Sequence, residues 1–283
     1  MRMRTACALV LLLLVSSIPA LAWGPGGHAA IAIGVADQMS VTPSRDYLLL
    51  QMVYGASAPD LAWMANEPLA SALGVATHLD PGYQEPWDRA AWWSQVQRSF
   101  AWGWLTHNEA WGADYYAHIV NPLTDASPGY VEDQAAALSA LTGVPADTCH
   151  YYVEVAVDLL LDQQRPALGL GELLAKAAAS RDPQVASLLV RCYADVPGSG
   201  LLKVLAIEAA HRTYLATYGA ALALPAGADD AALAAAMAAL YGLTLQQSAA
   251  CLASAKELCQ QPGAHYQNAL ASTIALVAAA QWP

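Results

Sequence analysis

Phenylalanine occurs once in this 283-residue chain, only 12% of its side chains carry a charge, and basic residues number 12 against 23 acidic ones. A formal charge of −11 leaves no basic face to hold a nucleic-acid duplex, so no stable nucleic-acid partner is expected. Segments alternating between apolar and polar residues are missing, which argues against a β-sandwich or barrel. No Walker loop, Rossmann glycine pattern, nucleophile elbow or internal repeat is present. None of the cysteines has C-x-x-C spacing, so they are not counted as zinc ligands. The apolar runs are too short to span a bilayer, and no transmembrane helix is expected in the mature chain.

What is abundant is alanine with leucine at helical spacing, within a composition 57% hydrophobic. This predicts an all-α, multi-helix bundle. Residues 1–22 read as a secretory signal peptide: Arg2 and Arg4, an apolar run from Ala6 to Val15, and Ala20-Leu21-Ala22 as the cleavage site. Cleavage between Ala22 and Trp23 would leave Trp23 at the amino terminus of a secreted or periplasmic protein. Loss of Arg2 and Arg4 takes the formal charge from −11 to −13. The even set Cys149, Cys192, Cys251 and Cys259 would then allow one or two disulfides, in pairings the sequence leaves open.

The mature chain divides by composition into a front part, 23–164, rich in histidine, aspartate and tryptophan, and an Ala-rich helical part, 165–283, expected to pack on the same domain. In the second part, helices are predicted at 171–180, 183–193, 201–218, 229–241, 244–260 and 266–280, punctuated by Pro and Gly. His211 and His265 lack ligand-type neighbours at one-turn spacing and read as structural.

The front part carries the chemistry. Trp23-Gly-Pro-Gly-Gly-His28 could fold back so that a terminal amine and His28 meet. Asp60 follows Pro59 in a turn, and His78 stands in a loop. Continuous helix from Trp104 to His118 would place His107, Asp114 and His118 within roughly 20° of one line. His150 and Glu154 lie one turn apart. Asp158 continues their face and reads as a solvated charge. Nitrogen and carboxylate donors without thiolates suit catalytic zinc, and nine such groups suit two or three ions.

Together these residues resemble the zinc-dependent phospholipase C family, related to the S1/P1 single-strand nucleases, over about half the mature chain. The resemblance implies an all-α fold in which Asp60, His78, His107 and Asp114 hold one zinc ion. His118, His150 and Glu154 would hold a second, and Trp23, His28 and the bridging Asp114 a third. Two positions depart from the family pattern. His107 precedes Asp114 by two turns rather than one, about 10 Å between Cα atoms in a helix, and would need a bulge or kink at Gly112 to share an ion. Leu61 stands where the phospholipase branch has an aromatic, so a choline headgroup is not specified.

The activity implied is phosphodiester hydrolysis by a zinc-activated water, with Asp60 as base. The substrate would be a glycerophospholipid at a membrane surface, since Glu154 resembles the phospholipase branch. The alternatives are a single-strand nuclease or 3′-nucleotidase, and a non-catalytic metal-binding surface protein with an altered first site.

Overall fold

Helix α1 (Pro25–Gln38) opens with a proline, whose fixed φ and missing N–H suit a first turn. The computed structural model describes residues 23–280 and Trp282; the signal peptide expected over 1–22 lies outside them. Helix α2 (Asp46–Ser57) runs into a 3-10 turn, Ala58–Met64, and helices α3 (Leu69–His78), α4 (Glu85–Arg89) and α5 (Gln95–Leu105) follow.

Helices α2 and α5 cross at backbone contact. A Cβ on Gly55 would stand 2.1 Å from the Phe100 carbonyl oxygen, and one on Gly103 2.0 Å from that of Met52. Only glycine admits this approach. The crossing brings the C-terminal ends of α2 and α5 together, and both ends carry site residues.

The continuous helix expected through His118 is not formed. Helix α5 ends at Leu105, and a turn of π-helix, Tyr115–Ile119, resumes after a loop. Helix α6 (Tyr130–Thr142) stops at Gly143 in the left-handed region, and α7 (Ala146–Gln164) is buried without interruption from Cys149 to Leu161. The Ala-rich part supplies α8 (Leu170–Ala179), α9 (Pro183–Tyr193), α10 (Leu201–Leu222), α11 (Ala228–Tyr241), α12 (Leu245–Leu258) and α13 (Tyr266–Ala278). Their bounds lie within a few residues of those read from the Pro and Gly punctuation.

Leu174, Leu189, Leu215, Leu252 and Leu270 share one hydrophobic core with Trp23, Tyr54 and Tyr152, so the Ala-rich helices back the front part rather than forming a core of their own. The fold is all-α, with no strand among the described residues and one isolated bridge between Asn121 and Ala126. No single described helix is long and apolar enough to cross a membrane. Cys149, Cys192, Cys251 and Cys259 are free thiols, which corrects the expectation of one or two disulfides.

Candidate metal centre

Six residues separate His107 from Asp114, and the backbone loops them out. Ala113 N–H donates to the Thr106 carbonyl at 2.7 Å and Asp114 N–H to the His107 carbonyl at 2.8 Å. Inside the loop, Asn108 Oδ1 accepts from the amides of Ala110, Trp111 and Gly112 at 2.8, 2.9 and 3.2 Å. At Gly112 a Cβ would stand 2.6 Å from both the nitrogen and the oxygen of Asn108. The two-turn spacing is thus absorbed, and His107 Nε2 comes to 3.2 Å from Asp114 Oδ2.

Four buried side chains converge there. Besides the His107–Asp114 pair, His107 Nε2 lies 3.5 Å from Asp60 Oδ1 and 3.2 Å from His78 Nε2. His78 Nε2 stands 3.6 Å from both Asp60 Oδ1 and Asp114 Oδ2. Zinc bonds of about 2.0–2.1 Å at tetrahedral angles place neighbouring donors about 3.3 Å apart, the spacing seen here. Several of these separations are too long for hydrogen bonds, and Asp60 Oδ1 and Asp114 Oδ1 are buried without a hydrogen-bond partner. Orphaned acceptors facing imidazole nitrogens at this spacing fit a shared cation better than a hydrogen-bond network.

The far ring nitrogens are held by the protein. His107 Nδ1 pairs with the Ala56 carbonyl at 2.8 Å, which the α2–α5 crossing makes possible. His78 Nδ1 meets Thr77 Oγ1 at 2.7 Å and the Gly74 carbonyl at 3.2 Å. Each arrangement leaves Nε2 pointing into the site, as metal-binding histidines require.

A second group adjoins the first through Asp114. Its Oδ1 lies 3.4 Å from His28 Nε2, which in turn stands 3.4 Å from the Trp23 backbone nitrogen. The Trp23 indole fixes this end of the chain by donating to the Ala113 carbonyl at 3.0 Å and stacking on Tyr130. Asp158 holds the turn itself, accepting from the amides of Gly26 at 2.8 Å and Gly27 at 2.7 Å and from the Tyr218 hydroxyl at 2.8 Å. It is fully buried, which corrects its reading as a solvated charge.

A third group, reached from Asp114 through His118, holds His118, His150, Glu132 and Glu154. Donor atoms of His118, Glu132 and His150 lie within 4.8 Å of one another. Glu154 meets His150 Nε2 at 2.8 Å. Glu132 was not among the residues singled out by sequence, because its only signal was a place in the first turn of α6. Glu109, grouped with Asp114 and His118 within 4.8 Å, was missed for the same lack of pattern.

The charge balance is consistent with a cation site. Burial disfavours the charged imidazole of His107, but the Asp114 and Asp60 carboxylates outweigh it and hold its pKa well above the usual value. Burial likewise opposes ionisation of Asp60, yet His107 and His78 keep it well below the carboxylate range. His28, desolvated and beside His107, falls to about 3 and is neutral. In the protein alone, a proton on His107 offsets one of the two buried carboxylate charges, whereas a divalent cation at the same point would offset both. Groups of His, Asp and Glu that could hold metal ions are therefore present among the described residues, and they include Glu109 and Glu132 beside the histidines and aspartates. No family model, curated protein or solved structure matches the chain.

Proposed function

We propose that the chain is an exported zinc-dependent phosphodiester hydrolase of the phospholipase C type, acting on glycerophospholipids. The observation that carries this reading is the donor set itself: Asp60, His78, His107 and Asp114 within 3.2–3.6 Å, joined through Asp114 to His28 and the Trp23 nitrogen. All donors are nitrogen or oxygen, a composition suited to catalytic zinc. Zinc bound there would activate a water and offset charge on the phosphoryl oxygens.

The protein's own residues divide the remaining work. His78 and His107 present Nε2 because their Nδ1 atoms are engaged by Thr77 and Ala56. Asp114 joins two positions through its two oxygens. The low pKa of Asp60 keeps its carboxylate ionised across the neutral range, which suits a ligand and makes it a weak proton acceptor. With cleavage before Trp23, its nitrogen becomes a free amine already 3.4 Å from His28 Nε2.

A lipid substrate is supported by Trp92 and Trp93, adjacent indoles that are 79% and 71% exposed between α4 and α5. Amphipathic rings of this kind settle at the boundary of a bilayer. The acidic balance also disfavours a polyanionic substrate. Incubating the processed, zinc-loaded protein with phosphatidylcholine vesicles and, separately, with single-stranded DNA tests the reading. Release of diacylglycerol that stops with chelator supports it. Cleavage of DNA alone transfers the site to the nuclease reading, and inertness toward both leaves a metal-binding protein.

A further inference from the structure

We infer that Glu132, on α6, is the third protein donor to the ion shared by His118 and His150, and that Glu154 orients His150 from the opposite ring nitrogen. The inference rests on the metal-site reading above and departs from the ligand set that the family resemblance implies.

The imidazole of His150 sits between two carboxylates. Its Nδ1 faces Glu132 Oε1 at 3.1 Å, and its Nε2 faces Glu154 Oε1 at 2.8 Å. A neutral imidazole gives one nitrogen to a metal and donates a hydrogen bond from the other, so the two carboxylates have different tasks. Three observations assign them.

The 2.8 Å contact to Glu154 has the length of a charge-assisted hydrogen bond and is shorter than the donor-to-donor separation of about 3.3 Å around zinc. His118 gathers with Glu132, not with Glu154: donor atoms of His118, Glu132 and His150 lie within 4.8 Å of one another. Solvent reaches that side and not the other, since the Glu132 side chain is 38% exposed and that of Glu154 only 3%. An ion that works on a substrate needs an open position, and the exposure of Glu132 favours the Nδ1 side for it.

The backbone explains why Glu132 arrives there. Gly129 N–H donates to the His118 carbonyl at 2.9 Å, and a Cβ on Gly129 would stand 2.3 Å from the Ala117 carbonyl oxygen. The start of α6 is thereby pressed against the π-turn that carries His118, and Glu132 follows in the first turn of the helix.

Zinc stoichiometry and affinity of the processed protein, measured by equilibrium dialysis on wild type, Glu132→Gln, Glu132→His and Glu154→Gln, test the assignment. The expected pattern is loss of about one ion in E132Q and its recovery in E132H, which supplies a nitrogen donor. E154Q should keep the full count with affinity lowered roughly 10–100-fold, the usual cost of losing a carboxylate behind a ligating histidine. Glu132 is partly exposed, so its variants should fold, which circular dichroism verifies. Loss of the ion in E154Q with the full count kept in E132Q overturns the assignment and leaves the hydrolase reading standing. Inertness toward lipid alongside the expected stoichiometries sinks the hydrolase reading and leaves the assignment intact.

Discussion

The amide of Asp114 donates to the carbonyl of His107 at 2.8 Å across seven residues of chain, and that one bond converts a two-turn separation into a shared site. It depends on Gly112, whose Cβ position is filled by the Asn108 backbone. Replacing Gly112 with alanine should open the loop, draw Asp114 away from His107, and lower zinc affinity by more than about 10-fold, with a stability loss of about 1–3 kcal/mol. Zinc titration beside urea unfolding checks both. Unchanged affinity would show that the loop does not set the His107–Asp114 distance.

Asp158 supports the neighbouring group from behind. Truncating it to alanine leaves the amides of Gly26 and Gly27 and the Tyr218 hydroxyl without their acceptor in a buried place. The expected cost is about 3 kcal/mol or more, together with loss of the ion nearest Trp23 before the others. Asparagine at the same position keeps one acceptor oxygen and should retain more of both. Equal zinc content in D158A and wild type would remove Asp158 from the account of the site.

His211, which is not itself one of the candidate ligands but feels the charges of Asp60 and His107, gives a pH signature of its own. Both of its ring nitrogens are buried without a partner, and burial lowers its pKa to about 4. Between about 6.5 and 4 the unfolded chain binds a proton there that the folded chain refuses, so its contribution to stability is lost as pH falls through that window. His211→Phe should flatten this limb for the metal-free protein, so the variant gains on wild type between pH 7 and pH 5. Urea midpoints at the two pH values measure it, and a constant difference would contradict the assignment.

The exposed indoles separate binding to a surface from chemistry. Substituting serine for both Trp92 and Trp93 should reduce association with phosphatidylcholine vesicles several-fold while leaving hydrolysis of a monomeric short-chain phospholipid unchanged. Equal loss on both substrates would place the pair in the catalytic pocket instead.

Much of this was legible in the residues. Helix bounds in the Ala-rich part follow from Pro and Gly, since those residues limit backbone geometry locally. The ligand types at Asp60, His78, His107 and Asp114 could be read because burying such groups together in an apolar chain has few other purposes. The break after Leu105 was not legible, because helical periodicity in 104–118 is overridden by the Asn108 turn and by a hydrogen bond that closes over seven residues. Glu132 was hidden for a related reason: its partner lies 18 residues away across a tertiary contact set by Gly129. Asp158 was misread because a carboxylate on a helix face looks solvated until the glycine turn it clamps is seen. The cysteines followed a compartment argument that does not say which thiols are joined: the Cys149 and Cys251 side chains meet, yet both are free.

The central claim is that donors from the front half gather several metal ions in one pocket completed by the Trp23 nitrogen. Zinc content of the folded protein beginning at Trp23, compared with the same protein carrying one extra residue before it, tests this most directly. About three ions per chain are expected in the first and about one fewer in the second. A folded, correctly begun protein that binds no zinc would contradict it.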